Sequence, residues 1–202
     1  MGLVGCGTLQ APQRPAVYDF GPGAVAVVPV GGSTSQALRQ APVLLADVET
    51  TPALDSTAVL FRLGYADAQQ LRPYAQARWS MPPAQLLRQR LREALGQQRD
   101  VLSPGEGIGA GQGSVTLRVV LEEFSQLFES ENASAGLVRL RATLSQTTPG
   151  SADRLLAQRS FVLQRPSASA DATGGVRALT AASDAAIAEL MAWVQQNPVA
   201  QK

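Results

Sequence analysis

The sequence predicts one α/β domain, a mixed sheet with helices packed on its faces. Three observations carry this. The 202 residues are 45% apolar and 16% charged, a globular composition long enough for one sizeable core and short for two. Several stretches alternate with the two-residue period of strands, most clearly after residue 115. Two others space their apolar residues as helices do, one mid-chain and one near the C-terminus.

Val17–Phe20 and Ala24–Val30 are short apolar runs broken by Gly-Pro-Gly and read as strand pieces, followed by a loop over 31–36. Val43–Thr50 and Ser56–Leu63 read as strands about a turn at Pro52, the second apolar on both faces and so buried. Pro73–Ser80 reads as a strand with Tyr74, Gln76 and Arg78 on one face and Ala75, Ala77 and Trp79 on the other. The period then changes. Pro83 suits a first helical turn, where its missing N–H costs nothing. Leu87, Leu91, Ala94 and Leu95 share one face of this helix, and Arg88, Arg92 and Arg99 another.

A glycine-rich loop spans 103–113. Val115–Phe128 and Ala135–Gln146 form an antiparallel hairpin, with Arg154–Leu163 as the next strand. Residues 165–175 read as a linker of small residues. The last helix runs from Val176 to Gln196 on Leu179, Ala186, Leu190, Trp193 and Val194, and Asn197-Pro198 stops it.

Composition excludes much chemistry. There is no histidine, so the usual general base, the usual metal ligand and every Ser-His or Cys-His pair are missing. A single cysteine rules out an intrachain disulfide and a CxxC metal site. The net charge of +1 gives no electrostatic case for nucleic acid. No apolar run reaches the roughly 18–20 residues that span a bilayer. The glycine-rich loop precedes a strand instead of a helix and lacks GK[ST], so it does not read as a phosphate loop. Glu122, Glu123, Glu129 and Glu131 read as a solvated strand end, with adjacent Glu122 and Glu123 on opposite faces. No cofactor or metal site is expected.

The lone cysteine stands in Leu3-Val4-Gly5-Cys6, which resembles the bacterial lipobox. Small residues before the cut admit the chain to the signal peptidase, and the Cys6 thiol accepts the acyl (palmitate) chain. Only Met1–Gly5 precede it, too few for an export signal, so residues 1–5 read as the remnant of a signal peptide in a truncated sequence. Residues 6–16 read as a lipid-anchored tether reaching about 30 Å when extended, and 17–197 as the domain. Gly7 follows the cysteine where Asp would favour inner-membrane retention, so by resemblance to sorting rules the outer membrane is expected.

Four residues are candidate partner contacts. Arg88 and Arg92 lie on the charged face of the central helix, which reads either as solvated or as a dock for an acidic partner or lipid headgroups. Trp79 reads either as core or as an interfacial anchor. Arg78 lies beside it on the opposite sheet face and needs solvent or a partner.

The lipobox, the Tyr18-Asp19-Phe20 run, the segment 43–63, Arg78-Trp79 followed by Pro82-Pro83 and a Leu/Arg helix, and the hairpin 115–146 together resemble the ABC-type transport auxiliary lipoproteins, the paraquat-inducible protein C-like group. The resemblance covers Cys6 to about Val194. It implies a three-layer α/β/α domain similar to the anticodon-binding-like fold and an outer-membrane lipoprotein facing the periplasm of a Gram-negative bacterium. It further implies an ABC permease and ATPase and a mammalian-cell-entry (MCE) domain protein as partners in intermembrane movement of phospholipid or other apolar molecules. A homo-oligomer is also implied, because some relatives form rings. Cys6 is carried over as the acylation site and Arg78-Trp79 as a family-typical pair. The expected action is docking without covalent chemistry. The alternatives are a lipid carrier with an apolar cavity of about 300 Å³ or more and an envelope lipoprotein unconnected to transport.

Overall fold

The computed structural model describes residues 14–23, 40–104, 115–146 and 153–197. In chain order its elements are β1 (Ala16–Tyr18), β2 (Gln40–Leu45), β3 (Glu49–Thr50), β4 (Ala58–Leu63), α1 (Gly64–Asp67), β5 (Ala68–Trp79), α2 (Pro83–Gly96), β6 (Arg99–Leu102), β7 (Val115–Phe128), β8 (Ser134–Gln146), β9 (Arg154–Pro166) and α3 (Ala172–Gln196). The strands form one nine-stranded mixed sheet, as the α/β reading expects.

β7 is its axis. One edge pairs antiparallel with β8 from Val115↔Gln146 to Phe128↔Ser134. The other is shared in series by three parallel strands: β2 at Val115–Leu117, β3 at Val120–Leu121 and β4 at Gln126–Phe128. The sheet therefore forks. One branch continues from β2 to β6, the other from β4 through β5 to β1, and β9 flanks β8 on the far side.

A register shift between Leu121 and Glu123 changes which side chains of β7 reach the core. Val115, Leu117, Val119 and Leu121 are buried before it, and Phe124, Gln126 and Phe128 after it. The bulge also corrects the reading of the two adjacent glutamates. Both lie on the face away from the long helices, where Glu122 pairs with Arg141 at 2.6 Å and Glu123 with Arg62 at 3.1 Å.

α2 and α3 share one face and touch: Arg90 on α2 pairs with Asp184 on α3 at 3.4 Å, and Gln195 Nε2 donates to Gln98 Oε1 at 2.7 Å. Leu86, Leu87, Leu91 and Leu95 of α2 and Leu179, Ala182, Ala186 and Leu190 of α3 enter one continuous core with the inner residues of the sheet. Burying each such leucine contributes roughly 1.5–3 kcal/mol. The single turn α1 sits at the other face, where Gly64 lies against Leu127.

Several boundaries differ from those the sequence suggests. The expected strand Val43–Thr50 is two, because the chain gains a residue over β7 between Leu45↔Leu117 and Glu49↔Val120. The strand placed at Pro73–Ser80 begins at Ala68, directly after α1. α2 ends at Gly96, so Arg99 does not continue its arginine face; it opens β6, a strand the helical reading ran over, and is buried there. α3 starts at Ala172 rather than Val176, because Asp171 caps it by accepting from the Gly174 N–H at 2.7 Å. The expected strand 24–30 and loop 31–36 lie outside the described residues, as does the glycine-rich loop from residue 105 onward.

α3 crosses the sheet at backbone contact. A Cβ on Gly136 of β8 would stand 2.5 Å from the Ala178 carbonyl carbon and the Leu179 nitrogen, and one on Gly175 would stand 2.0 Å from Gln126 Oε1. Neither helix backbone nor a bonded, buried amide yields easily. Gly136→Ala is expected to destabilise the fold by about 1–3 kcal/mol, lowering Tm by roughly 5 °C, while Gly96→Ala, which meets open space, leaves Tm nearly unchanged; thermal unfolding followed by circular dichroism measures both.

Candidate functional site

The four candidate contact residues do not share a surface. Trp79 closes β5 with its ring turned into the core. It is 2% exposed and stands 5.7 Å from the Phe20 ring and 5.6 Å from that of Phe124, with both contacts edge-on. That is a core seat, out of reach of a partner. Arg78 faces the other way and is half-buried; its Nη1 donates to the carbonyls of Tyr74 at 2.6 Å and Ala77 at 2.8 Å. The guanidinium thus ties the irregular turn of β5 to itself. Arg88 and Arg92 follow each other along the flank of α2. Arg88 Nε lies 3.0 Å from Asp47 Oδ1, close in distance but off the N–H direction, which makes it an ion pair without an aligned hydrogen bond. Arg92 Nη1 donates to Ser103 Oγ. Both arginines brace the segments after β2 and β6 against the helix. Cys6 lies outside the described residues.

Two polar centres stand where sequence periodicity gave no sign of them. The first is Arg90, whose side chain is 11% exposed. It donates through Nη2 to the Phe20 and Gly21 carbonyls and pairs with Asp184, joining the end of β1 to both long helices. Burial raises the Asp184 carboxyl above its ordinary range, and Arg90 opposes that shift. Gly23, at φ 69°, leaves no room for a side chain beside the Arg90 guanidinium. Beside it lies a cavity of about 110 Å³ lined by Phe20, Met81 and Leu86 and by the polar Asp19, Gln89, Arg90 and Glu93.

The second centre is Gln126, fully buried on β7. Tyr74 Oη donates to its Oε1 at 2.7 Å, and its Nε2 donates to Ser134 Oγ at 2.8 Å. Strict alternation puts Tyr74 opposite Trp79. Instead both face the helices, because β5 holds Tyr74 to Ala77 where β4 holds only Val59, and the odd excess reverses the phase. The Phe61 and Tyr74 rings pack 4.6 Å apart. Burial, with a smaller contribution from the Asp171 charge, pushes the Tyr74 phenol up to about 12. The Gly174 N–H, with help from the Ser169 hydroxyl, holds the Asp171 carboxyl below its ordinary value. Only the Asp171 cap had a sequence signal, a lone Asp before a small-residue helix.

These groups hydrogen-bond one another and position elements. No cluster of three or more His, Cys, Asp or Glu suited to a metal ion occurs among the described residues. No helix described is long and apolar enough to cross a membrane. The arrangement is that of a rigid α/β scaffold whose polar interior is structural and whose exposed surfaces remain for contact.

A sequence model of the ABC-type transport auxiliary lipoprotein component family matches residues 25–191. The chain belongs to this family, as its resemblance implied. Among solved structures it is similar to protein XCC0632 from Xanthomonas campestris, of the DUF330 family, at a TM-score of 0.67 and 22% identity, covering 80% of this chain and 89% of that one. It is also similar to the hypothetical protein CT253 from Chlamydia trachomatis, at a TM-score of 0.54 and 9% identity over 78% of this chain and 97% of that one. At these identities the likeness is one of fold. No curated protein matches in sequence.

Because the folded state raises the Tyr74 pKa above that of the unfolded chain, its contribution is fully present below about pH 10 and is lost as pH rises towards 12. Tyr74→Phe, which leaves Gln126 Oε1 buried without its donor, is expected to lower stability by about 1–3 kcal/mol at neutral pH and to flatten the decline between pH 10 and 12; urea unfolding across that range reads both effects.

Proposed function

We propose that this protein is an outer-membrane lipoprotein facing the periplasm, a docking component of an ABC-type system that moves lipid or another apolar solute between membranes. The family match over residues 25–191 carries this reading, since the family is one of lipoprotein components auxiliary to ABC-type transport. The Leu-Val-Gly-Cys6 lipobox supports the anchor, and two or more acyl chains give stable attachment where one does not. The strand order adds a direction. β1 runs parallel to β5, so the chain enters the domain from the side of the β7–β8 turn and of the α3 N-terminus. Under this reading that end of the sheet faces the outer membrane and the opposite end faces an MCE-domain protein and the permease–ATPase pair. The domain acts by binding, without catalysis. Arg88 and Arg92 remain candidate contacts on the flank of α2, while Arg78 and buried Trp79 support the scaffold.

The 110 Å³ cavity beside Arg90 is well below the roughly 300 Å³ of ligand pockets. It is also polar-walled, which favours docking over enclosure of a lipid there.

The test expresses the gene with its export signal. The lipidated protein is crosslinked in native envelopes, purified, and analysed for proteins and lipids by mass spectrometry. Recovery of an MCE-domain protein is expected from the wild type, and its loss from Cys6→Ser. Stoichiometric phospholipid without such a protein would move the assignment to a carrier, and recovery of neither would overturn the transport reading.

A further inference from the structure

Among the described residues β9 is the one long strand with no partner anywhere on its second edge. It bonds to β8 alone among them, in unbroken register from Ala157↔Leu144 to Pro166↔Ala135. Soluble proteins usually protect such an edge with an internal proline, a short strand, a bulge or charged side chains, and of these β9 relies on charge. β9 has thirteen residues, its proline stands only at the last position, and its one register shift lies near its start. Leu155 and Val162 are 60% and 59% exposed, two of the few large apolar side chains the surface leaves bare. The charge is one-sided. β9 carries Arg154, Arg159 and Arg165 and no carboxylate. None of these, nor Arg139 beside Val162 on β8, makes an ion pair with a described residue. The neighbouring acids are engaged: Asp153 with Arg118, Glu129 with Gln164.

We infer that the free edge of β9 is a docking site for an extended acidic segment of another protein, which adds to the sheet as a further strand. Backbone hydrogen bonds along the edge supply affinity, and alternate side chains supply specificity. A second copy of this chain is the poorer occupant. Two β9 strands paired edge to edge would bring six arginines and no carboxylate to one seam, which like-charge repulsion disfavours. An acidic strand meets the same arginines as partners and can cover Leu155 and Val162 with its apolar side. The inference fixes the form and charge of a partner and does not rest on the transport reading, so failure of either leaves the other standing.

The probe is a synthetic peptide of alternating Glu and Val or Thr, compared with its Lys counterpart, in hydrogen–deuterium exchange and fluorescence titration against the whole chain. The Glu peptide is expected to slow exchange of β9 amides selectively, to bind about tenfold more tightly than the Lys peptide, and to weaken as salt rises. The double variant Arg154→Glu/Arg165→Glu is expected to reverse the preference, and its binding of the Lys peptide also shows that it has folded. Equal binding of both peptides, no binding, or protection elsewhere than β9 would overturn the inference. So would β9 protection without peptide that grows with protein concentration alongside a dimer mass, since that is self-pairing.

Discussion

The structure depends on a single strand being bonded along both edges. β8 follows one edge of β7 from end to end, and β2, β3 and β4 divide the other. Every strand beyond them is positioned through these pairings. Such a strand cannot slip, because a one-residue shift would turn its core face outward on both sides at once. The bulge after Leu121 is the one tolerated departure, and it has a consequence for charge. Placed there, it sends Glu122 and Glu123 to the same outer face, each with its own arginine, and lets Phe124 and Gln126 face the helices.

The second constraint is how closely α3 lies on that sheet. Gly136 brings strand backbone to helix backbone, and Gly175 lets the helix lie directly on the Gln126 side chain, which is enclosed there. An enclosed amide must be satisfied. Tyr74 and Ser134 satisfy it, one from the fork branch of β5 and the other from the start of β8. The same small polar network therefore ties three regions of the chain that are distant in sequence. Arg90 does comparable service at the other side of the helical layer, joining β1, α2 and α3. Both sides of the helical layer are thus braced by polar contacts between segments distant in sequence.

The surfaces divide accordingly. Much of the helical face is engaged in the core and in bracing contacts such as Arg88–Asp47. The opposite face and the β9 edge keep exposed apolar side chains among arginines, the mixture from which selective protein contacts are made.

The sequence by itself determined the long amphipathic elements. β7, β8, α2 and the body of α3 carry their own periodicity, since each buries one face over many residues, whereas β9 buries only Phe161 and Leu163. The run Leu3-Val4-Gly5-Cys6 and the absence of histidine were likewise legible locally. Tertiary structure decided the rest. β2 and β3 divide, β5 turns Tyr74 and Trp79 to one side, and β6 follows α2 closely enough to hide in its pattern. These outcomes arise from register against a partner strand, which no single segment encodes. The same holds for the candidate contacts. Arg78, Trp79, Arg88 and Arg92 are neighbours or near neighbours along the chain, yet the pleat, the core and the helix flank separate them. Arg90 gathers β1 and α3 only because a folded sheet brings their carbonyl and carboxylate oxygens within reach of one guanidinium.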